Sequence, residues 1–350
     1  MNTKLHYHYI YFNSCYLKRG RVNRNEYNSI CLRDAENLDD VDVISTPLQQ
    51  YPLVIRRLFA LHTSKRVNEI IKLPLQNLWF PLFFKKKKVS KPYCFVIARQ
   101  DIPMKYFAYL KRLYPQSKFV KIHRDLLKVA HSNPEYSEEN MNRVFDLRYT
   151  FDEGEAKRYG LVHFDEIESR VDVPVSEEYP ISDVFFAGRA KDRLKKILTA
   201  YRIFTNAGLH CDFYITDVPE EERIELPGIT YADSFMPYDE MLFRTVNTQC
   251  LLDINQTGAV GYTSRILEAI IYNKRIIMDN PYILHSKYYN TNYIQFVANM
   301  DQIDPEFVKR TDPVNFAYEG DFSPVRLIRS IDNELVKKFG KPEGGNFNND

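Results

Sequence analysis

Apolar and polar positions are most regularly patterned between residues 181 and 300. Val184-Phe185-Phe186-Ala187 is a short apolar run ending at Gly188, the pattern of a buried strand. Leu194, Ile197, Leu198, Tyr201 and Phe204 then fall on one face at helical spacing, and Gly208 stands where a C-terminal cap belongs. The same reading predicts strands at 211–215, 229–231, 251–254 and 275–278, and helices at 238–246 and 264–272. Strands alternating with helices imply a parallel sheet with helices on both faces. The N-terminal half repeats the rhythm less cleanly. Strands are predicted at 5–12, 41–44, 93–98, 119–122 and 143–151, and helices at 51–61, 104–114, 125–130 and 154–159. A stretch with Pro174 and Pro180 and few apolar residues in register reads as a linker.

The predicted organisation is α/β: two doubly wound Rossmann-like domains, 1–170 and 183–340, joined by a linker at 171–182 and facing a cleft. A polar tail at 341–350 is expected to be disordered. Ligands of open α/β sheets bind at the carboxyl ends of the strands, so those ends are where chemistry is sought. A length of 350 residues suits two cores, and 44% hydrophobic with 27% charged residues excludes wholesale disorder. Only 12 Gly exclude a glycine-rich repeat.

The net charge of +2 hides an asymmetry. Residues 1–133 hold 24 Lys and Arg against 9 Asp and Glu, whereas 134–350 hold 24 against 37. That polarity points to an anionic partner for the first half, such as a membrane surface, lipid phosphate or nucleic acid; the alternative is a solvated basic surface. Leu78-Trp79-Phe80-Pro81-Leu82-Phe83-Phe84 runs into Lys85–Lys88, which suits the headgroup region of an anionic bilayer, or else a buried aromatic segment beside a solvated loop. The five cysteines are scattered and read as reduced core residues rather than a disulfide framework or zinc site. The N-terminus lacks the apolar stretch of a signal peptide, and no window is apolar enough to span a bilayer. A cytoplasmic protein is expected, with peripheral attachment to the inner face of the cell membrane as an option.

Gly188-Arg189-Ala190-Lys191-Asp192-Arg193 lies between a predicted strand and a helix start. Free backbone amides and the helix dipole favour an anion there, and three cations stand close by. Basic residues at that end oppose the dipole unless an anion is present. No Walker loop and no G-x-G-x-x-G occurs. A second cluster, Asn255 to Glu268, follows the predicted strand at 251–254, bends at Gly258 and Gly261, and enters a helix at Ser264. Thr263 and Arg265 are candidates for phosphate. Glu268 is a candidate for ribose hydroxyls, or for an ion pair with Arg265 three residues away. Asp40-Val41-Asp42 is read as a loop-to-strand junction rather than a metal site.

Three segments together carry a family resemblance: Phe186-Ala187-Gly188-Arg189 with Lys191 and Arg193, then Gly261-Tyr262-Thr263-Ser264-Arg265-Ile266-Leu267-Glu268-Ala269, then Asn273 to Asn280. In that order and spacing they resemble the C-terminal half of GT-B glycosyltransferases, most of all the bacterial enzymes of capsular, exopolysaccharide and lipopolysaccharide assembly. Val144 to Asp152 and Glu155 to Gly160 are similar to the end of that family's N-terminal domain. The resemblance spans about 90–300. It implies a GT-B-like fold and transfer from a nucleotide diphosphate sugar to a saccharide or lipid-linked saccharide acceptor, with no bound metal and no other cofactor. The resemblance puts Gly188, Arg189 and Lys191 near the diphosphate and matches Glu268 to the acidic residue for the ribose; with Arg193, Gly261, Thr263 and Arg265 from the two loops they make up the expected donor-binding set.

Val260 departs from the family, many retaining members of which have a second Glu there, so the stereochemical outcome stays open. A non-catalytic nucleotide-sugar-binding or scaffold protein is the alternative that Val260 suggests. A nucleic-acid-binding protein is the further one, and it leaves 181–280 unexplained. For an inverting reaction the base is expected from the N-terminal side, at Asp101, His123 or Asp125, each of which has a structural reading as well. His123-Arg124-Asp125 also imitates a kinase catalytic loop, but no Gly-rich loop precedes it and no Asp-Phe-Gly follows.

Overall fold

The computed structural model describes residues 4–13, 17–18, 21–22, 27–44, 48, 51–62, 67, 70–71, 73–99, 102–131, 133–256 and 261–343. The chain divides into two compact units, 1–169 with 323–350, and 170–322.

The first unit holds β1 (His8–Phe12), a small antiparallel pair β2 (Leu17–Lys18) and β3 (Arg21–Val22), β4 (Val41–Ile44), β5 (Tyr93–Ile97), β6 (Lys118–His123), β7 (Leu147–Thr150) and β8 (Val162–His163). All but β2 and β3 form a six-stranded parallel sheet in the order β4-β1-β5-β6-β7-β8. Its larger helices are α1 (Leu53–His62), α2 (Met104–Leu113), α3 (Glu138–Val144) and α4 (Glu153–Tyr159). Alternate residues of β1 serve opposite cores, Tyr9 and Tyr11 on one face and Ile10 and Phe12 on the other, as a strand covered on both sides requires.

The second unit holds β9 (Ser182–Arg189), α5 (Leu194–Asn206), β10 (Cys211–Thr216), β11 (Ile229–Ala232), α6 (Tyr238–Asn247), β12 (Thr248–Asp253), α7 (Ser264–Ile271), β13 (Arg275–Met278) and β14 (Ile294–Phe296). Its sheet is also six-stranded and parallel, ordered β11-β10-β9-β12-β13-β14. Val184 and Phe186 face one core and Phe185 the other. Two parallel sheets with helices are the expected α/β architecture.

Three expectations change. Helix α8 (Pro324–Phe339) was assigned with the C-terminal domain at 183–340, yet it packs in the first unit. Leu327, Ile328, Ile331 and Leu335 complete the core under Tyr7, Tyr9 and Tyr11, while buried Asp332 accepts from the Tyr9 hydroxyl at 2.7 Å and the His6 amide at 2.9 Å. The expected linker belongs to the second unit: the Asn247 amide group donates to the Ser176 carbonyl at 2.6 Å and the Tyr179 carbonyl at 3.1 Å. The predicted strand at 143–151 is the end of α3, capped by the Ser137 hydroxyl on the Asn140 amide, followed by β7.

Of the aromatic run at 78–84, Phe80, Phe83 and Phe84 are buried in the first unit's core. Asp42 binds His8 and Lys87, and Asp40 binds Lys91, so that pair of acids is a junction. Of the tail, 344–350 lies outside the described residues.

Candidate functional site

In the second unit β9 is first in the chain and central in the sheet; β10 and β11 lie on one side of it, β12, β13 and β14 on the other. The strand order reverses between β9 and β12, and at such a point the loops leaving the carboxyl ends diverge and open a crevice. The two loops there are the two clusters singled out in the sequence.

Arg193 ties them together. Its Nε and Nη2 donate to the Arg189 carbonyl at 3.1 and 2.7 Å, and its Nη1 donates to the Ile254 carbonyl across the switch point. Burial lowers its pKa, so the guanidinium is a partly desolvated staple satisfied by main-chain oxygens rather than an open phosphate ligand. Gly188 makes room for it: a Cβ there would stand 3.2 Å from Arg193 Nη2. Lys191 crosses the same gap, its Nζ donating to Gln256 Oε1 at 2.7 Å from a backbone at φ +44°. That left-handed conformation is unfavourable for a lysine and holds the ammonium over the crevice. Arg189 is half-buried, pairs with Asp217 at 3.2 Å, and lies over the Phe235 ring at 4.5 Å.

Two helices begin at this crevice, and neither amino end is capped by a side chain. Before α5 comes Arg193, with no acid in the first turn and with Lys195 and Lys196 exposed. Before α7 comes Thr263, whose hydroxyl donates to Asp253 Oδ2 at 2.7 Å instead of accepting from the helix. The positive ends of two dipoles, neither with a side-chain cap, thus lie beside Lys191 and Arg189. Asp253 is itself buried, and burial raises its pKa above the usual carboxylate range. The loop is braced further by Asp279, which accepts from the Asn255 amide at 2.6 Å and pairs with Lys196 at 2.8 Å, and by Asn280, which donates to the Gly261 carbonyl at 2.7 Å. Gly261 sits at φ +98°, a conformation suited to glycine. The sequence reading overlooked Asp253, Gln256, Asp279 and Asn280 as site residues; each lies within two residues of the end of an apolar strand run, which is the signal that was there to use.

Glu268 and Arg265 are not at the crevice surface. Glu268 is 0% exposed; Oε1 accepts from Tyr238 at 3.0 Å, and Oε2 accepts from Thr245 at 3.3 Å and from Arg265 Nη1. The ion pair of the sequence reading is what forms, and the two side chains join α6 to α7 inside the core. This corrects the ribose contact for Glu268 and the phosphate contact for Arg265: both groups face inward because the helix turns its Ile266–Ile270 stripe and their own face into the fold. Burial raises the pKa of Glu268, with Arg265 opposing.

In the first unit the candidates end up apart in character. Asp101 lies outside the described residues, as does Val260. His123 is 1% exposed, and burial, with Lys121 and Arg148 nearby, lowers its pKa to about 2, which removes it as a base open to substrate. Asp125 is exposed just past β6, and the Leu127 amide two residues on donates to Glu155 Oε1 at 2.8 Å. Among the described residues no group of three or more His, Cys, Asp or Glu is placed to hold a metal ion, and no helix is long and apolar enough to cross a membrane.

No protein-family model matches the chain, and no curated protein matches it in sequence. Among solved structures it is similar to an alpha-glucosyltransferase in complex with UDP-glucose and DNA containing an abasic site, at 10% identity and a TM-score of 0.44 over 97% of this chain and 96% of that one. It is also similar to an alpha,alpha-trehalose-phosphate synthase (UDP-forming) from Burkholderia vietnamiensis, at 8% identity and a TM-score of 0.41 over 95% and 93%. A third similarity is to the glycotransferase of kitacinnamycin, at 9% identity and a TM-score of 0.39 over 96% of both chains.

Proposed function

We infer that the chain is a glycosyltransferase that holds the diphosphate of a nucleotide diphosphate sugar at the second unit's switch point. The observation that carries this reading is the convergence there of two helix starts without side-chain caps, an exposed Lys191 and a half-buried Arg189. A diphosphate has the charge and the number of acceptor oxygens to satisfy all of them at once. In transfer, negative charge grows on the departing diphosphate as its bond to the sugar breaks. Fixed amides and cations aimed at that charge lower the barrier without having to reorganise. Arg193 and Gly188 set the loop geometry; Thr263 and Asp253 aim the start of α7; Glu268 and Arg265 hold α7 against α6.

The acceptor we propose is a saccharide or lipid-linked saccharide of a bacterial surface polysaccharide, in keeping with the family resemblance of residues 90–300. For an inverting reaction, Asp125 and Asp101 remain the candidates for the base. The test is release of nucleoside diphosphate from UDP-, GDP- and ADP-sugars incubated with the pure protein. One donor is expected to be hydrolysed slowly, and at least tenfold more slowly by the Arg189→Ala, Lys191→Ala variant. A protein that binds a donor and never releases its diphosphate, with or without added saccharide acceptors, is a binding protein and not a transferase.

A further inference from the structure

We propose that α1, with the exposed Ile70, Ile71, Leu75 and Leu78 beyond it, forms a docking surface for an anionic lipid bilayer. Helix α1 has no buried residue along its whole length. Val54, Leu58 and Leu61, spaced at helical intervals, are 68%, 54% and 60% exposed, and Ile70, Ile71, Leu75 and Leu78 beyond it are exposed as well. One edge of the helix is fixed: Phe59 packs edge-on against Trp79 and Phe83, and the Trp79 indole donates to His62 Nδ1 at 2.8 Å. The helix is thus held in place while its aliphatic face is turned to solvent. A contiguous exposed apolar face of this kind marks an interaction surface.

Charge identifies the occupant. Residues 45–92 hold ten Lys and Arg against one acid, Glu69. Arg57 stands exposed within the aliphatic face, and Lys85, Lys86 and Lys88 are exposed on the chain that continues from Phe84. Beside them lies a groove of about 420 Å³ lined by Tyr51, Phe84, Lys85, Lys86, Tyr109 and Leu113. Cations around exposed aliphatic side chains match an anionic headgroup layer over an acyl interior, with the Arg and Lys stems lying along the apolar surface. A second copy of the chain would bring like charges together. A nucleic acid would meet aliphatic side chains where stacking needs rings, since Phe80, Phe83 and Phe84 are buried. The inserting group is therefore α1 and not the aromatic run that the sequence pointed to.

The inference does not rest on the nucleotide-sugar reading. It is tested by flotation of the full chain with vesicles of phosphatidylcholine alone and of phosphatidylcholine with about one third phosphatidylglycerol. Partition onto the anionic vesicles only, weakened by salt and lowered about tenfold or more in both Leu58→Asp, Leu61→Asp and Lys85→Glu, Lys86→Glu, is the expected result. Equal melting temperatures for wild type and variants establish that fold loss is not the cause. Absence of partition, equal partition onto neutral vesicles, or partition unchanged in the variants would overturn it. So would a wild-type dimer that Leu58→Asp, Leu61→Asp dissociates, or binding of single-stranded nucleic acid in place of vesicles.

Discussion

The carboxyl ends of the two parallel sheets are built on one plan and finished in opposite ways. Each switch point is closed by an arginine on main-chain oxygens: Arg193 on Arg189 and Ile254 in the second unit, Arg99 on the Asn13 carbonyl at 3.2 Å in the first. In the first unit, however, the helix starts meet carboxylates of the chain itself. The Met104 amide of α2 donates to Glu135 at 3.1 Å and the Leu127 amide to Glu155 at 2.8 Å. Two cations at the sheet are committed as well: buried Lys121 donates to the carbonyls of Ile97, Arg99 and Ile122, and Arg148 binds Glu138. In the second unit α5 and α7 start without such acceptors, next to Lys191 and Arg189. Topology thus places a crevice in both units, and on the reading proposed here the second, whose helix starts carry no side-chain cap, is the one that takes an anion.

The largest effect expected concerns the scaffold under that crevice. Glu268→Ala leaves Arg265 buried and unpaired, so it should cost about 3–5 kcal/mol in urea unfolding, whereas replacing the pair by Leu and Met should cost far less. Removing the caps of the first unit is a milder change: Glu155→Ala should cost about 0.5–2 kcal/mol and leave nucleotide binding as it was. An equal cost for Glu268→Ala and Glu155→Ala would contradict the difference drawn between them.

A third variant turns one unit's finish into the other's. Lys195→Glu places a carboxylate in the first turn of α5 and should stabilise the unliganded protein by about 0.3–1 kcal/mol while weakening nucleoside diphosphate binding. A stabilised variant with unchanged affinity would remove α5 from the site.

A further effect is on pH dependence. His123 is held from 6.5 down to about 2 by burial and by Lys121 and Arg148. The unfolded chain therefore takes up a proton near pH 6.5 that the folded chain refuses until about pH 2. Stability falls as pH drops below about 6.5, by at most about 1.4 kcal/mol per pH unit from this group. His123→Phe should flatten the fall in unfolding free energy between pH 7 and pH 5. An unchanged slope would mean that His123 is protonated in the fold.

Much of the second unit was legible because its strands are buried on both faces and its helices carry full apolar stripes. The strands at β9 to β13 and the helices α5 to α7 lie within a few residues of their predicted bounds. β14 and β8 were missed because three and two residues are too short to show a period. The stripe of α8 is plain in Leu327, Ile328, Ile331 and Leu335, but nothing local says which sheet it covers; that depends on pairing with Tyr7 and Tyr9, more than 300 residues away. The site was legible as loops and illegible as side-chain directions. Spacing put Arg265 and Glu268 on one face and could not say that this face is the inner one, and it could not tell Arg193, folded back on carbonyls, from Lys191, which reaches Gln256.

The central claim is that the second unit's switch point is the anion site, and calorimetric titration of UDP, GDP and ADP into wild type and the Arg189→Ala, Lys191→Ala variant tests it most directly. The account predicts saturable binding of one nucleotide by the wild type and at least tenfold weaker binding by a variant that melts at the same temperature. Equal affinity in the two proteins, or no binding of any nucleoside diphosphate by the folded wild type, would contradict it.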